Sequence, residues 1–192
     1  MIFSKKDLCH YLEIELGTNY NSISNRLYDY IVPSPKSYIR ILRKTELLLN
    51  KKGIGNRLLL IFYKVKLQRL SSATGLSIPV NTCDAGLTIY HHGSIVLNSS
   101  CRVGRNCCIS NNVNIGATGG SQKAPIIGNN VYIGPGAVIF GDIRIADNCY
   151  IGANAVVCKS ITEENSVVVG VPGRIIKKDP VVWWVKNGLK RD

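Results

Sequence analysis

The sequence predicts a mainly β fold: a coil of short parallel strands that turns a corner every six residues, preceded by an α-helical region. Three observations predict it. From Ile95 to Ser160 the chain divides into hexads: IVLNSS, CRVGRN, CCISNN, VNIGAT, GGSQKA, PIIGNN, VYIGPG, AVIFGD, IRIADN, CYIGAN and AVVCKS. An aliphatic residue holds the third place of each hexad but one, as Leu97, Val103, Ile109, Ile115, Ile127, Ile133, Ile139, Ile145, Ile151 and Val157; Ser121 is the exception. Two residues earlier stands a second small or apolar residue, among them Cys101, Cys107, Val113, Val131, Ala137, Ile143, Cys149 and Ala155. A six-residue period matches neither the three-and-four spacing of a helical stripe nor the unbroken alternation of a long strand. It fits strands stacked coil on coil, in which the two apolar places, two residues apart, share the inward face. The hexads suffice for about three to four coils.

Residues 1–70 predict helices. Ser4 followed by Asp7 resembles a capping box, with Leu8, Tyr11, Leu12 and Leu16 at helical spacing and a stop at Gly17-Thr18-Asn19. A second helix is expected from Ser22 to Tyr30, closed by Pro33 and Pro35, and a third from about Pro35 to Asn50. The fourth, Gly55 to about Leu70, is rich in apolar residues and is expected to pack on the end of the coil, covering an open edge of unpaired backbone groups. Residues 71–178 form the coil domain, irregular from Ser71 to Ser94, where Gly75, Pro79, Gly86 and Gly93 interrupt the apolar segments. Residues 179–192 form a tail with Val181, Val182, Trp183, Trp184 and Val185, expected to pack back on the coil or on a neighbouring subunit, with membrane-surface contact as the lesser reading.

Composition narrows the functions. The 192 residues hold no apolar run near the roughly 18 that a membrane span needs, and MIFSKKDLCH lacks the apolar core of a signal peptide, so a cytoplasmic location is expected. The seven cysteines show no metal-ligand spacing, and Cys101, Cys107 and Cys149 occupy the small inward place, where cysteine acts as a hydrophobe; no metal site is expected. The formal charge of +12 is uneven, because residues 1–70 hold thirteen Lys and Arg against five acids. That raises nucleic-acid or acidic-membrane contact, but the basic residues are dispersed and carry no nucleic-acid motif, so a solvated helical surface is preferred and no nucleic-acid partner is expected.

Catalytic raw material is scarce: there is no nucleophile elbow, phosphate loop or zinc motif. What stands out is Tyr90-His91-His92-Gly93, set just before a regular coil. A histidine there can take a proton from a hydroxyl as its oxygen attacks a carbonyl, although a histidine without context is more often structural. The broken hexad around Ser121, Ala117 to Ala124, reads either as a repeat defect or as a loop that projects and shapes a site.

The hexads, the segment Gly86 to Val96, the block Val113-Asn114-Ile115-Gly116 and the ending Gly170-Val171-Pro172-Gly173-Arg174 together resemble the hexapeptide-repeat acyltransferases. They are most similar to serine acetyltransferase and the serine acetyltransferase-like proteins found with surface-polysaccharide synthesis. The resemblance covers roughly residues 71–178 and implies a left-handed parallel β-helix, a homotrimer with active sites between neighbours, acetyl-CoA as donor and a hydroxyl acceptor. Matching the family's Ile-Val segment places its catalytic histidine on His91, whereas counting from the helical region favours His92; the phase of the hexads prefers His91. A backbone N–H would stabilise the oxyanion. For CoA the resemblance points to backbone near Gly116, Ala117, Gly134 and Ala153, with Lys159, Arg174, Lys177 and Lys178 as candidates to meet its phosphates or as plain surface charge. Tyr90 and Lys123 fall at acceptor-binding positions. There are departures: Ser77 stands at the orienting aspartate, Tyr90 at an acidic neighbour, Ala124 at a second histidine and Lys123 at an arginine that binds the serine carboxylate. These leave two acceptors open, L-serine and a sugar hydroxyl, and a second class of function, a scaffold or binding protein that has lost the chemistry.

Overall fold

The computed structural model describes residues 1–51 and 56–178, with Arg26 and Tyr30 as backbone only. Four helices precede the coil: α1 (Lys5–Leu16), α2 (Ile23–Ile31), α3 (Pro35–Asn50) and α4 (Asn56–Thr74). The expected capping box opens α1, with the Asp7 N–H donating to Ser4 Oγ at 3.1 Å and the Ser4 N–H to Asp7 Oδ2 at 2.9 Å. Ser22 caps α2, and Ser34 with Ser37 forms a second capping box ahead of Pro35, which suits a first helical turn because it has no N–H to satisfy. α4 runs four residues past its expected end, because Leu70 and Thr74 are still buried and the Thr74 carbonyl accepts the Gly93 N–H at 3.1 Å. The tail from residue 179 lies outside the described residues.

The coil is a left-handed parallel β-helix with three faces. On the first, Leu76–Ser77, Ile95–Leu97, Val113–Gly116, Val138–Phe140 and Val156–Val157 pair in parallel. Arg102–Val103, Ile126–Ile127 and Arg144–Ile145 make the second face, which bridges at Cys83 and Ile161 extend. The third carries Cys108–Ile109, Tyr132–Ile133, Tyr150–Ile151 and Ser166–Val169, and ends in an antiparallel strand, Arg174–Lys178. The irregular start is itself a coil, since Leu76, Cys83 and Thr88 pair with one strand on each face. Its partner Ile95 lies 19 residues from Leu76, whereas Val113 lies 18 from Ile95, so the hexad phase begins only there.

The third-place aliphatics fill the interior: Ile109, Ile115, Ile133, Ile139 and Ile151 are fully buried, each worth about 1.5–3 kcal/mol on transfer from water. Cys101, Cys107 and Cys149 are buried free thiols between them, as expected. The corners depend on asparagine. Asn106, Asn112, Asn130, Asn148 and Asn154 hold the sixth place with φ between +54° and +59°, a region asparagine tolerates better than most residues. At the corner between the second and third faces they also form a ladder, Asn106 Nδ2 to Asn130 Oδ1 at 3.1 Å and Asn130 Nδ2 to Asn148 Oδ1 at 2.9 Å.

The helical region caps the first coil through buried polar bonds. The Tyr38 hydroxyl bridges the Ile78 carbonyl and N–H. Arg43, fully buried, donates to Glu15, Glu46 and the carbonyls of Cys83 and Asp84, while Glu15 also accepts the N–H groups of Gly86 and Leu87. Burial opposes the Arg43 charge, but Glu15 and Glu46 more than restore it. One expectation is corrected: only part of α4 packs on the coil. Leu70 is buried and Tyr63 and Leu67 pack on a core that α3 shares with the coil, but Leu58, Ile61, Phe62 and Val65 are exposed, because its apolar residues are spread around the helix and only one face turns inward.

Candidate active site

His91 and His92 sit at the corner between the third and first faces, where the first coil turns into the strand Ile95–Leu97. The turn needs Gly93, whose φ is +143° and whose missing Cβ would lie 2.8 Å from Asn111 Cβ in the coil below. The same corner continues down the stack, as the Gly136 N–H donates to the Asn111 carbonyl and the Asn154 N–H to the Pro135 carbonyl. Tyr90, His91 and His92 are all exposed there. His92 Nε2 lies 3.2 Å from the Pro33 carbonyl oxygen; a carbonyl only accepts, so this ring nitrogen carries the proton. Among the described residues no carboxylate bonds to His91, and Ser77 is an exposed residue of the first face.

The broken hexad is a loop. Neighbouring coils pair residues 18 apart, as Ile95 with Val113, but Asn114 pairs with Val138, Arg102 with Ile126 and Cys108 with Tyr132, each 24 apart. One whole hexad is therefore looped out at the corner between the first and second faces. Residues 119–123 are exposed, and the chain re-enters the stack at Ala124 and Pro125, both buried. Lys123 Nζ pairs with Asp142 Oδ2 of the next coil at 2.7 Å, both side chains well exposed.

Within one chain the candidate residues divide between two corners. Tyr90, His91, His92, Gly134 and Ala153 share one, and Arg174 follows the last turn there, whose Gly173 N–H reaches the Val156 carbonyl. Gly116, Ala117, Lys123 and Lys159 lie along the other. Between them stands the first face, where the four-residue strand Val113–Gly116 spans about 13 Å. Lys177 and Lys178 lie along the final strand, with Lys178 paired to Glu163 at 2.8 Å. The Gly134 N–H is used within the stack, on the Ile151 carbonyl, and the Gly116 carbonyl accepts from Gly141. By contrast, the N–H groups of Ala117 and Ala153 donate no hydrogen bond within the described residues.

Two residues of this surface escaped the sequence reading. Tyr132 and Tyr150 stack at 4.6 Å between ring centroids and 15° between planes, outward on the third face, and Ser110 Oγ donates to the Tyr132 hydroxyl. Their signal was present, as the outward second place of VYIGPG and CYIGAN. Tyr90 lies near them, its phenol raised above the usual value by burial and by the neighbouring Cys108 and Tyr132. Thiolate chemistry is disfavoured at the inward cysteines: burial pushes the Cys101 thiol up to about 11 and Cys107 up to about 12, so neither is a thiolate near neutrality. Among the described residues no cluster of three His, Cys, Asp or Glu side chains is placed to hold a metal.

Known proteins share the repeat and the fold. The family profile described as bacterial transferase hexapeptide (six repeats) matches residues 124–159. Serine acetyltransferase of Staphylococcus aureus (strain Mu50) is 40% identical over 111 residues, 56% of this chain and 52% of that protein, so the chain spans about half the length of this relative. Serine acetyltransferase of Bacillus pumilus is 31% identical over 173 residues, covering 82% of this chain and 73% of that one. The crystal structure of Brucella abortus serine acetyltransferase in complex with coenzyme A superposes with a TM-score of 0.69 at 27% identity, over 92% of this chain and 70% of that chain. With the coil, its helical cap and the looped-out hexad in place, this similarity along most of the chain makes it a member of the serine acetyltransferase family.

Proposed function

We propose that the chain is an O-acetyltransferase that moves acetyl from acetyl-CoA to a hydroxyl acceptor, with His91 as general base. The observation that carries this reading is the exposed His91 at a coil corner in phase with the Ile95–Leu97 strand, beside a His92 whose Nε2 proton is already bonded to Pro33. His91 takes the proton of the acceptor hydroxyl; the oxygen attacks the thioester carbonyl, the C–S bond breaks, and the proton passes to the departing CoA sulfur. A backbone N–H holds the oxyanion, and the free N–H groups of Ala117 and Ala153 are the available donors toward the cofactor. Gly116 and Gly134 flank these positions, and Lys159, Arg174, Lys177 and Lys178 are the cations for the CoA phosphates.

Because the histidine corner and the loop corner lie on opposite edges of the first face, a complete site needs the loop of a neighbouring copy, and a homotrimer supplies it three times. A cytoplasmic location is part of the same proposal. L-serine is the first acceptor by family. A sugar hydroxyl of a surface-polysaccharide precursor is the second reading, favoured by one observation: the Lys123 charge, in the place of a carboxylate-binding arginine, is already paired with Asp142. Tyr90 would line the acceptor side in either case.

The test is release of CoA thiol from acetyl-CoA with L-serine against a panel of nucleotide-sugars and oligosaccharides. Loss of the base in His91→Ala lowers the rate by about 10²–10⁴ with the productive acceptor, while His92→Ala changes it less than about tenfold. Full activity of His91→Ala removes the assignment, and absence of acceptor-dependent thiol release supports a scaffold instead.

A further inference from the structure

The outer surface of the helical region is built in a way the acetyl-transfer site does not explain. α4 is apolar on two sides. One packs inward through Tyr63, Leu67 and Leu70, on a core that α3 shares with the coil; the opposite one presents Leu58 at 83% exposure, Ile61 at 58%, Phe62 at 56% and Val65 at 49%. A surface helix ordinarily leaves its outer side polar. Next to it, α2 sets Ile23, Leu27 and Ile31 in a single stripe at four-residue spacing, exposed at 84%, 58% and 65%. The two stripes meet in an open groove of about 470 Å³ over α3, where Ile23, Leu27 and Phe62 stand beside Lys44 and Lys66.

Charge identifies what fits there. α4 carries Arg57, Lys64, Lys66 and Arg69 and no acidic residue. By helical phase Arg57 and Lys64 flank one side of the apolar strip and Lys66 the other, with Arg69 at its end. Asp29, the carboxylate that lines the groove, is held by Arg40 at 2.7 Å. An apolar strip with cationic flanks is the pattern of a helix that lies in a bilayer interface, its apolar side among acyl chains and its Lys and Arg stems reaching to anionic headgroups. A second copy of the chain would set the same cationic rim against itself, and a nucleic acid would leave the apolar centre without a partner.

We infer that this face, α4 with the exposed stripe of α2, docks the protein on an anionic membrane surface. The interaction is peripheral, since no described helix is long and apolar enough to cross a membrane. It rests on the helical region alone and stands or falls independently of the acetyl-transfer reading.

The experiment is co-sedimentation of the full chain with vesicles of phosphatidylcholine alone and of phosphatidylcholine mixed with phosphatidylglycerol, at low and high salt. The expected result is binding to the anionic vesicles only, reversed by high salt. The double variants Leu58→Gln/Phe62→Gln and Arg57→Gln/Lys64→Gln should each weaken binding by about tenfold or more with an unchanged melting temperature, because all four side chains are exposed. Failure to bind anionic vesicles overturns the inference. So does a sedimentation-velocity result in which Leu58→Gln/Phe62→Gln splits a larger assembly while vesicle binding stays the same, since a second copy then covers the strip.

Discussion

The helical region and the coil are held together by opposite means. In the coil the interior contacts repeat from turn to turn: an aliphatic on an aliphatic, and at one corner an asparagine bonded to the asparagine one turn away. In the helical region the joints are unique, and several are charged and buried, with Arg43 on Glu15 and Glu46 and Arg40 on Asp29. Repetition spreads the load, so that one lost contact is felt mainly by adjacent coils. A unique buried charge concentrates it, because removing one partner leaves the others desolvated and unpaired.

That contrast is open to direct challenge, and the largest effect should come from Arg43. Arg43→Ala strands Glu15 and Glu46 together and should cost about 3–5 kcal/mol in urea unfolding, with acetyl transfer falling in parallel because the loosened first coil carries His91. If the loss is under about 1 kcal/mol, the joint is not the weak point claimed for it. Next comes Ile133→Ala in the centre of the coil, expected at about 2–5 kcal/mol with hydrogen-exchange protection lost chiefly in the strands that flank it. Asn130→Ala removes two rungs of the corner ladder and the residue suited to its φ of +54°, for about 1–2 kcal/mol. The smallest effect is in acid. Burial raises the Asp84 carboxyl, but the bonds from the Tyr11 hydroxyl and the Ala85 N–H outweigh it and leave it below the usual value. A lowered folded value means stability present above the unfolded pKa of about 3.9 and lost as pH falls through the folded one. Asp84→Asn should therefore flatten the decline in melting temperature below about pH 4, and an unchanged acid limb would show that other carboxylates control it.

Legibility in the sequence follows the same divide. The hexads showed the coil and its inward residues because the third-place aliphatic recurred ten times, but left the single break at Ser121 open between a repeat defect and a loop. They also marked His91, by phase. The Asn corners give a sparser signal, in five of the eleven hexads against ten for the aliphatic. The first coil was hidden by its 19-residue spacing. Arg43 and Glu15 looked like solvated helix surface, and nothing local separates them from Lys64 or Lys66; their burial is decided by residues some 30 to 70 positions away. The same distance hid the bond between His92 and Pro33 and, at shorter range, the pairing of Lys123 with Asp142. Apolar content in α4 suggested burial because composition counts residues without saying on which side of the helix they fall.

The looped-out hexad has a meaning for how such a molecule can change. Because all three faces resume in register after it, the stack is indifferent to what hangs from that corner, provided the chain leaves at Ala117 and returns at Ala124. Length and composition there are free variables, adjustable without re-solving the fold. A lineage can rewrite a few exposed residues there on a scaffold that does not register the edit.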